Sequence, residues 1–341
     1  MRRAATIAIA AVLVGALPGQ TQESPAAGEW RVEPIPTVGP VKAIETVAGD
    51  PRIAIGGGWF RTIVGTHAIT LVATVGPAQR ARPPDALPDG RIAEGKRDIA
   101  RAWFAEPTGR YGHGVLGDAV EAGSLVVERR DGRRDIVRLD NDAVFEDLEP
   151  RIAELGGDGR ERIVAVKSYL QRGSALAVIG ERDGRFAIVA ETPPIGTPNR
   201  WLNPAGIADF DGDGHTDIAL VRMPHATGLL ELWTWRDGTL DRRLELGDVS
   251  NHAVGSRMLR LSAVADFDGD GHADLAIPSF DRRELRIIAF TPQPRDLARL
   301  RLPAPAVTEM GLLRDGAGAP AVLLGLDGGA LVVIRKSPRR G

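Results

Sequence analysis

The sequence contains no cysteine. That excludes disulfide staples, thiolate metal ligands and a lipoprotein-type anchor, so stability must come from core area and non-covalent ties such as bound metal. Lysine is scarce as well: Lys42, Lys96, Lys167 and Lys336 are the only four among 43 basic residues. Neither sign of charge is in excess, with 43 Lys and Arg against 45 Asp and Glu and a net charge of −2. Phosphate binding needs a concentration of basic side chains that releases counterions, so nucleic acid is not an expected partner. After residue 16 no apolar run approaches the roughly 20 residues of a membrane-spanning helix, and no membrane span is expected. Helical periodicity is wanting too. Val, Ile and Leu fall in short runs between turn residues, and 41 glycines and 24 prolines disfavour a helical solenoid. What remains is 43% hydrophobic residues, enough for a real core.

The first residues, MRRAATIAIAAVLVGALPGQTQ, place Arg2 and Arg3 before an apolar run over residues 4–16 and then small residues. This is the layout of a secretory signal peptide. The expectation is a signal over residues 1–19, a disordered mature start over 20–28 and one folded domain over 29–337, in a periplasmic or secreted monomer.

Residues 208–220 read ADFDGDGHTDIAL and residues 265–277 read ADFDGDGHADLAI. A third copy, AELGGDGRERIVAVK at 153–167, aligns with 208–222 without a gap, and a weaker fourth, DGAGAPAVLL at 315–324, aligns with 211–220. The copies start at intervals of 55, 57 and 47 residues, the spacing of a propeller or solenoid repeat. Behind the first three lie alternating or apolar hairpins at 175–191, 230–246 and 284–302, two of them turning through RDG. Four short strands per period build the blade of a β-propeller. Residues 98–139 and 41–75 supply two further blades, for six in all. The last copy is one strand short, and residues 29–34 can fill the vacancy, sealing the ring by pairing the N- and C-terminal strands and covering an exposed edge. The Pro-rich stretch 77–91 reads as a surface loop.

In the loops the acids Asp209, Asp211, Asp213 and Asp217 occupy the first, third, fifth and ninth positions, and Asp266, Asp268, Asp270 and Asp274 repeat the spacing. Four carboxylates this close repel without a cation. Calcium takes 6 to 8 oxygens, and such a loop supplies carboxylates plus the backbone carbonyl of the seventh residue, His215 or His272. The predicted cofactor is Ca2+ at two structural sites. These motifs resemble the FG-GAP or VCBS repeats of exported bacterial proteins and of the integrin α-chain propeller. That resemblance implies a calcium loop between the first and second strands of a blade, with seven blades as the alternative count. Duplicated dockerin loops share the spacing but are flanked by helices, which IALVR and LAIPS do not spell. In the third copy Gly156 and Arg162 replace ligand positions, and in the fourth Ala317 and Ala321 do, so those loops should be metal-free.

No H-E-x-x-H or G-x-S-x-G motif accompanies the six histidines. The reading is therefore a calcium-stabilised extracytoplasmic binding module for an envelope protein or an acidic polysaccharide. The alternative is a carbohydrate-active or other hydrolytic enzyme on the upper face, away from the calcium loops. Candidate ligand-binding residues on that face are Arg200 and Arg257, at matching offsets before the loops, with Trp201, Asn251 and His252. Asn199, Tyr169, Arg172, His225, Arg282 and Arg283 stand nearby. Trp233 and Trp235 are expected to pack within a blade.

Overall fold

The computed structural model describes residues 30–65, 69–78, 81–315 and 318–336. The expected signal peptide, the stretch 20–28, His67 and Ala317 lie outside them. The described chain is all-β. Strand β1 (Trp30–Ile35) comes first. Strands β2 (Val41–Val47), β3 (Asp50–Ile55), β4 (Gly58–Val64) and β5 (Ile69–Thr74) then form a four-stranded antiparallel sheet in chain order.

A nine-stranded sheet follows, made of two four-stranded halves. The first half is β6 (Ala93–Glu94), β7 (Ile99–Thr108), β8 (Glu121–Arg129) and β9 (Arg134–Arg138). Between the halves lies β10 (Ala143–Phe145), and the second is β11 (Arg151–Glu154), β12 (Glu161–Tyr169), β13 (Gly173–Arg182) and β14 (Arg185–Glu191). β10 pairs with both β8 and β12 and welds the halves together. Two more four-stranded sheets run in chain order. One is β15 (Leu202–Ala208), β16 (Asp217–Arg222), β17 (Leu229–Arg236) and β18 (Thr239–Leu246). The other is β19 (Ala263–Ala265), β20 (Asp274–Pro278), β21 (Glu284–Ala289) and β22 (Arg295–Arg301).

The last sheet, β23 (Gly311–Arg314), β24 (Pro320–Gly325) and β25 (Leu331–Lys336), takes β1 as its fourth strand. β1 and β25 pair antiparallel from Trp30 with Lys336 to Ile35 with Leu331. The two ends of the described chain thus meet in one sheet, as the missing strand required.

Local chemistry explains the hairpins. Asp183 and Gly184 turn with φ of 52° and 77°, and Asp237 and Gly238 with 51° and 82°. Two consecutive positive φ values define the two-residue turn whose twist matches paired strands, and Asp-Gly tolerates it. Apolar clusters bind the β2–β5 sheet to the last sheet and that sheet in turn to the ones before it. Ile44 and Ile53 pack with Leu323 and Val333, Val322 and Ile334 with Leu285 and Ile287, and Leu275 and Ile288 with Val221 and Leu232. A larger cluster spans the nine-stranded sheet and reaches Ile218 and Leu220 of β16.

The described residues of the stretch 77–91 are mostly exposed or half-exposed, as a surface loop requires, with an anchor at Leu87. Leu87 is fully buried, its N–H donates to the Phe104 carbonyl at 2.8 Å, and Ala86 bridges Ala105. A borrowed strand partner satisfies the Leu87 backbone, which lets this one side chain be buried.

Candidate metal centres

Each DxDGDG loop joins the first strand of a sheet to its second: residues 209–216 link β15 to β16, and 266–273 link β19 to β20. Strands flank both loops, so the helix-flanked reading fails. Phe210 and Phe267, at the second loop position, are buried and tether each loop to the core. Phe210 meets Phe290 edge to face at 5.1 Å, and Phe267 meets Trp30 of β1 at 6.0 Å.

The ninth-position acid closes each loop. The Phe210 N–H donates to Asp217 at 3.0 Å, the Phe267 N–H donates to Asp274 at 2.8 Å, and both carboxylates are buried. The first acid accepts from the glycine amides: Gly212 and Gly214 donate to Asp209 at 2.8 and 3.0 Å, and Gly269 and Gly271 to Asp266 at 2.6 and 2.9 Å. Both glycines of each loop have positive φ, which a Cβ would strain.

This wrapping gathers Asp209, Asp211 and Asp217, and likewise Asp266, Asp268 and Asp274, so that one oxygen of each lies within 4.8 Å of the others. The fifth-position acids stand outside these triads, and arginines attend both loops, Arg243 at 3.7 Å from Asp211 and Arg295 at 3.2 Å from Asp268. Asp213 pairs with Arg236 at 2.9 Å and accepts from the His215 N–H, while Asp270 accepts from the His272 N–H at 2.8 Å. The two loops also touch, since a Cβ on Gly212 would come within 2.8 Å of the His272 ring.

The electrostatics disfavour charge on the ninth-position acids. Burial, with the repulsion of Asp268 and Asp270, pushes Asp274 up to about 6, and burial likewise raises Asp217. The third loop, between β11 and β12, supplies its own cation. Arg162, standing at the ninth position, donates to both oxygens of Asp158 at 3.0 and 2.7 Å. That hydrogen bonding holds Asp158 down at about 2. Gly156 replaces the third-position acid for a steric reason as well, because a Cβ there would come within 3.1 Å of the Arg162 guanidinium. Arg162 thus stands where the other two loops carry their buried ninth-position aspartate, and among the described residues the third loop has no converging triad. The donor set of the two triads fits a hard divalent cation bound through oxygen.

Residues 209–277 match the model of the FG-GAP-like repeat. The chain carries FG-GAP-like repeats. No curated protein matches the sequence. Among solved structures the chain is similar to a Photorhabdus luminescens Tc holotoxin pore, at 15% identity and TM-score 0.43 over 91% of this chain and 14% of that one. It is also similar to BBS1N in complex with ARL6DN, at 13% identity and TM-score 0.41 over 93% and 95%. Rhamnogalacturonan lyase YesW follows at 14% identity and TM-score 0.44 over 89% and 62%. The chain spans a small part of the toxin chain and less than two thirds of the lyase chain, and these likenesses concern fold alone.

Away from the FG-GAP loops, the residues singled out as ligand-binding do not form one open set. Trp201, Asn251 and His252 are buried. The Trp201 indole donates to the Glu146 carbonyl at 3.0 Å, and the Asn251 amide donates to the Asn203 and Pro204 carbonyls at 3.2 Å. His252 bonds His225 and the Ser256 carbonyl, both at 2.8 Å, and burial lowers His225 to about 4 and His252 to about 3. Arg200 is exposed, whereas Arg257 is held by Asp89 at 3.2 Å and Asp118 at 3.0 Å. Arg172 stacks on Tyr169, and the Arg282 Nε is buried without a partner.

A buried acidic group on this side has no signature in the sequence. His113 bonds Glu146 at 2.6 Å, Ser168 donates to the other Glu146 oxygen at 2.5 Å, and Glu121 is buried with one oxygen unpartnered. The hydroxyl sits on the carboxylate rather than on the imidazole, so the order differs from a nucleophile–base–acid relay. Its members lie on four separate strands and loops, and no local motif marks them.

Proposed function

We propose that this chain is a calcium-stabilised β-propeller of six four-stranded blades that acts outside the cytoplasm as a binding module for a protein or carbohydrate ligand. The carrying observation is the contrast between loops. Two FG-GAP loops converge three carboxylates each, while the third loop has Arg162 in place of the buried ninth-position acid. A ring is supported by the six four-stranded units, by the apolar clusters linking them in series and by the β1–β25 pairing. Asp209, Asp211 and Asp217 would hold one ion, and Asp266, Asp268 and Asp274 the other, with the His215 and His272 carbonyls as further donors. Bound calcium would neutralise the acids and lock the junctions of first and second strands.

The test is thermal unfolding with free calcium varied by a chelator. An ion bound only by the native state raises the midpoint as its concentration rises, about 2.7 kcal/mol per site at 100 times Kd. A midpoint indifferent to calcium would refute the proposal.

A further inference from the structure

A cavity of about 1200 Å³ is lined by residues of five of the six units. First strands reach it through Glu45, Glu94, Ile152, Ile207 and Val264, and Trp59 of β4 with Pro77 and Arg82 adds a side wall. At one end are Gly90 and Leu259, next to which Asp89 and Arg257 join in an ion pair of 3.2 Å. A second tie there is the Gly255 N–H donating to the Val115 carbonyl at 2.9 Å. Ile207 and Val264 each stand two residues before the first aspartate of an FG-GAP loop. The cavity exceeds the roughly 300–1,000 Å³ of a small-molecule pocket, so it has room for a chain end rather than a single small molecule.

Its charge decides the ligand class. Four arginines and three glutamates line it. Three of the arginines are anchored on carboxylates: Arg91 on Glu309 at 2.6 Å, Arg151 on Asp147 at 2.6 Å, and Arg260 on Glu149. Glu309 and Asp147 are buried behind the lining. No positive surplus is left for a polyanion. Each anchored guanidinium uses only part of its five-donor fork and has N–H groups left over, beside carboxylate acceptors. Interleaved with them are Pro150, Ile152, Ile207, Val264 and the Trp59 indole, one face of which lies so tightly on Gly76 that a Cβ there would come within 2.5 Å. Alternating donors and acceptors against an apolar, aromatic wall suit a molecule with hydroxyls on its edge and C–H on its face.

We infer that this cavity binds an uncharged oligosaccharide, hydroxyls on the edges of Arg91, Arg151 and Arg260 and one sugar face on Trp59. This deepens the proposed binding role and shifts it from the upper-face arginines to the interior, and from acidic to neutral glycan.

Isothermal titration of the full chain in saturating calcium with cellohexaose, maltohexaose, chitohexaose and hexagalacturonate tests it. At least one of the three neutral hexasaccharides should bind, with Trp59→Ala and Arg260→Gln each weakening it about tenfold, a loss of roughly 1.4 kcal/mol. The Arg260 side chain is half exposed, so its variant keeps the fold even if Trp59→Ala does not. The inference is overturned if none of the neutral sugars binds, if only hexagalacturonate binds, or if neither variant changes the affinity. A calcium-dependent melting midpoint that persists alongside such a result would leave the metal reading standing and reject the sugar site alone.

Discussion

Arg162 is the residue that explains the most. Its guanidinium bonds Asp158 and lies over the Trp235 ring at 5.2 Å, and it occupies the position held by the buried Asp217 and Asp274 in the two loops that follow. Gly156→Asp with Arg162→Asp should rebuild the acid spacing, and calcium bound at saturation should rise from two ions per chain to three, read by equilibrium dialysis. This substitution was legible in the sequence as a departure from the repeat; that the guanidinium itself reaches Asp158 was not, because spacing says nothing of side-chain reach. The same holds for Trp201, Asn251 and His252, which sit in loops yet are buried. Burial also sets the pH response. His225 and His252 are lowered to about 4 and 3, so between there and the unfolded value near 6.5 the unfolded chain binds more protons, and acidification costs stability. Glu121 behaves oppositely. Burial, then Glu146, raises it to about 9, so from about 4.5 upward the folded state holds the extra proton and stability falls as pH rises. Urea midpoints in saturating calcium should therefore decline on both sides of a mildly acidic optimum, and Glu121→Gln should flatten only the alkaline limb.

Among elements, the hairpins were the most readable. Asp-Gly at 183–184 and 237–238 has a backbone consequence independent of context, and the strands on either side fall where alternation put them. β10 was not readable: three residues carry no periodicity, and its pairing with β8 and β12 depends on partners some 20 residues away on either side. β1 lies between these cases, an ordinary amphipathic strand whose place followed from counting the strands of the last sheet. Its anchor is Trp30, buried against Phe267 with the Lys336 ammonium 5.3 Å from the ring centre. Trp30→Ala should cost about 3 kcal/mol through loss of burial and the cavity left behind, seen as a lower urea midpoint with unchanged slope. A loss below about 0.5 kcal/mol would mean that the β1 edge is not needed to hold the last sheet.

At the scale of the whole molecule, sheets in series, paired ends and a shared cavity make the FG-GAP loops more than local ornaments. They stand where first strands, which line the cavity, turn back toward the outside. The His272 ring against Gly212 further ties one loop to the other. The central claim is that exactly those loops with three converging carboxylates, and no others, hold calcium. Calcium stoichiometry by equilibrium dialysis tests it most directly. The account predicts two ions per chain, one after Asp211→Ala or Asp268→Ala, and none after both. Undiminished binding in the double variant, or no binding by the parent chain, would contradict it.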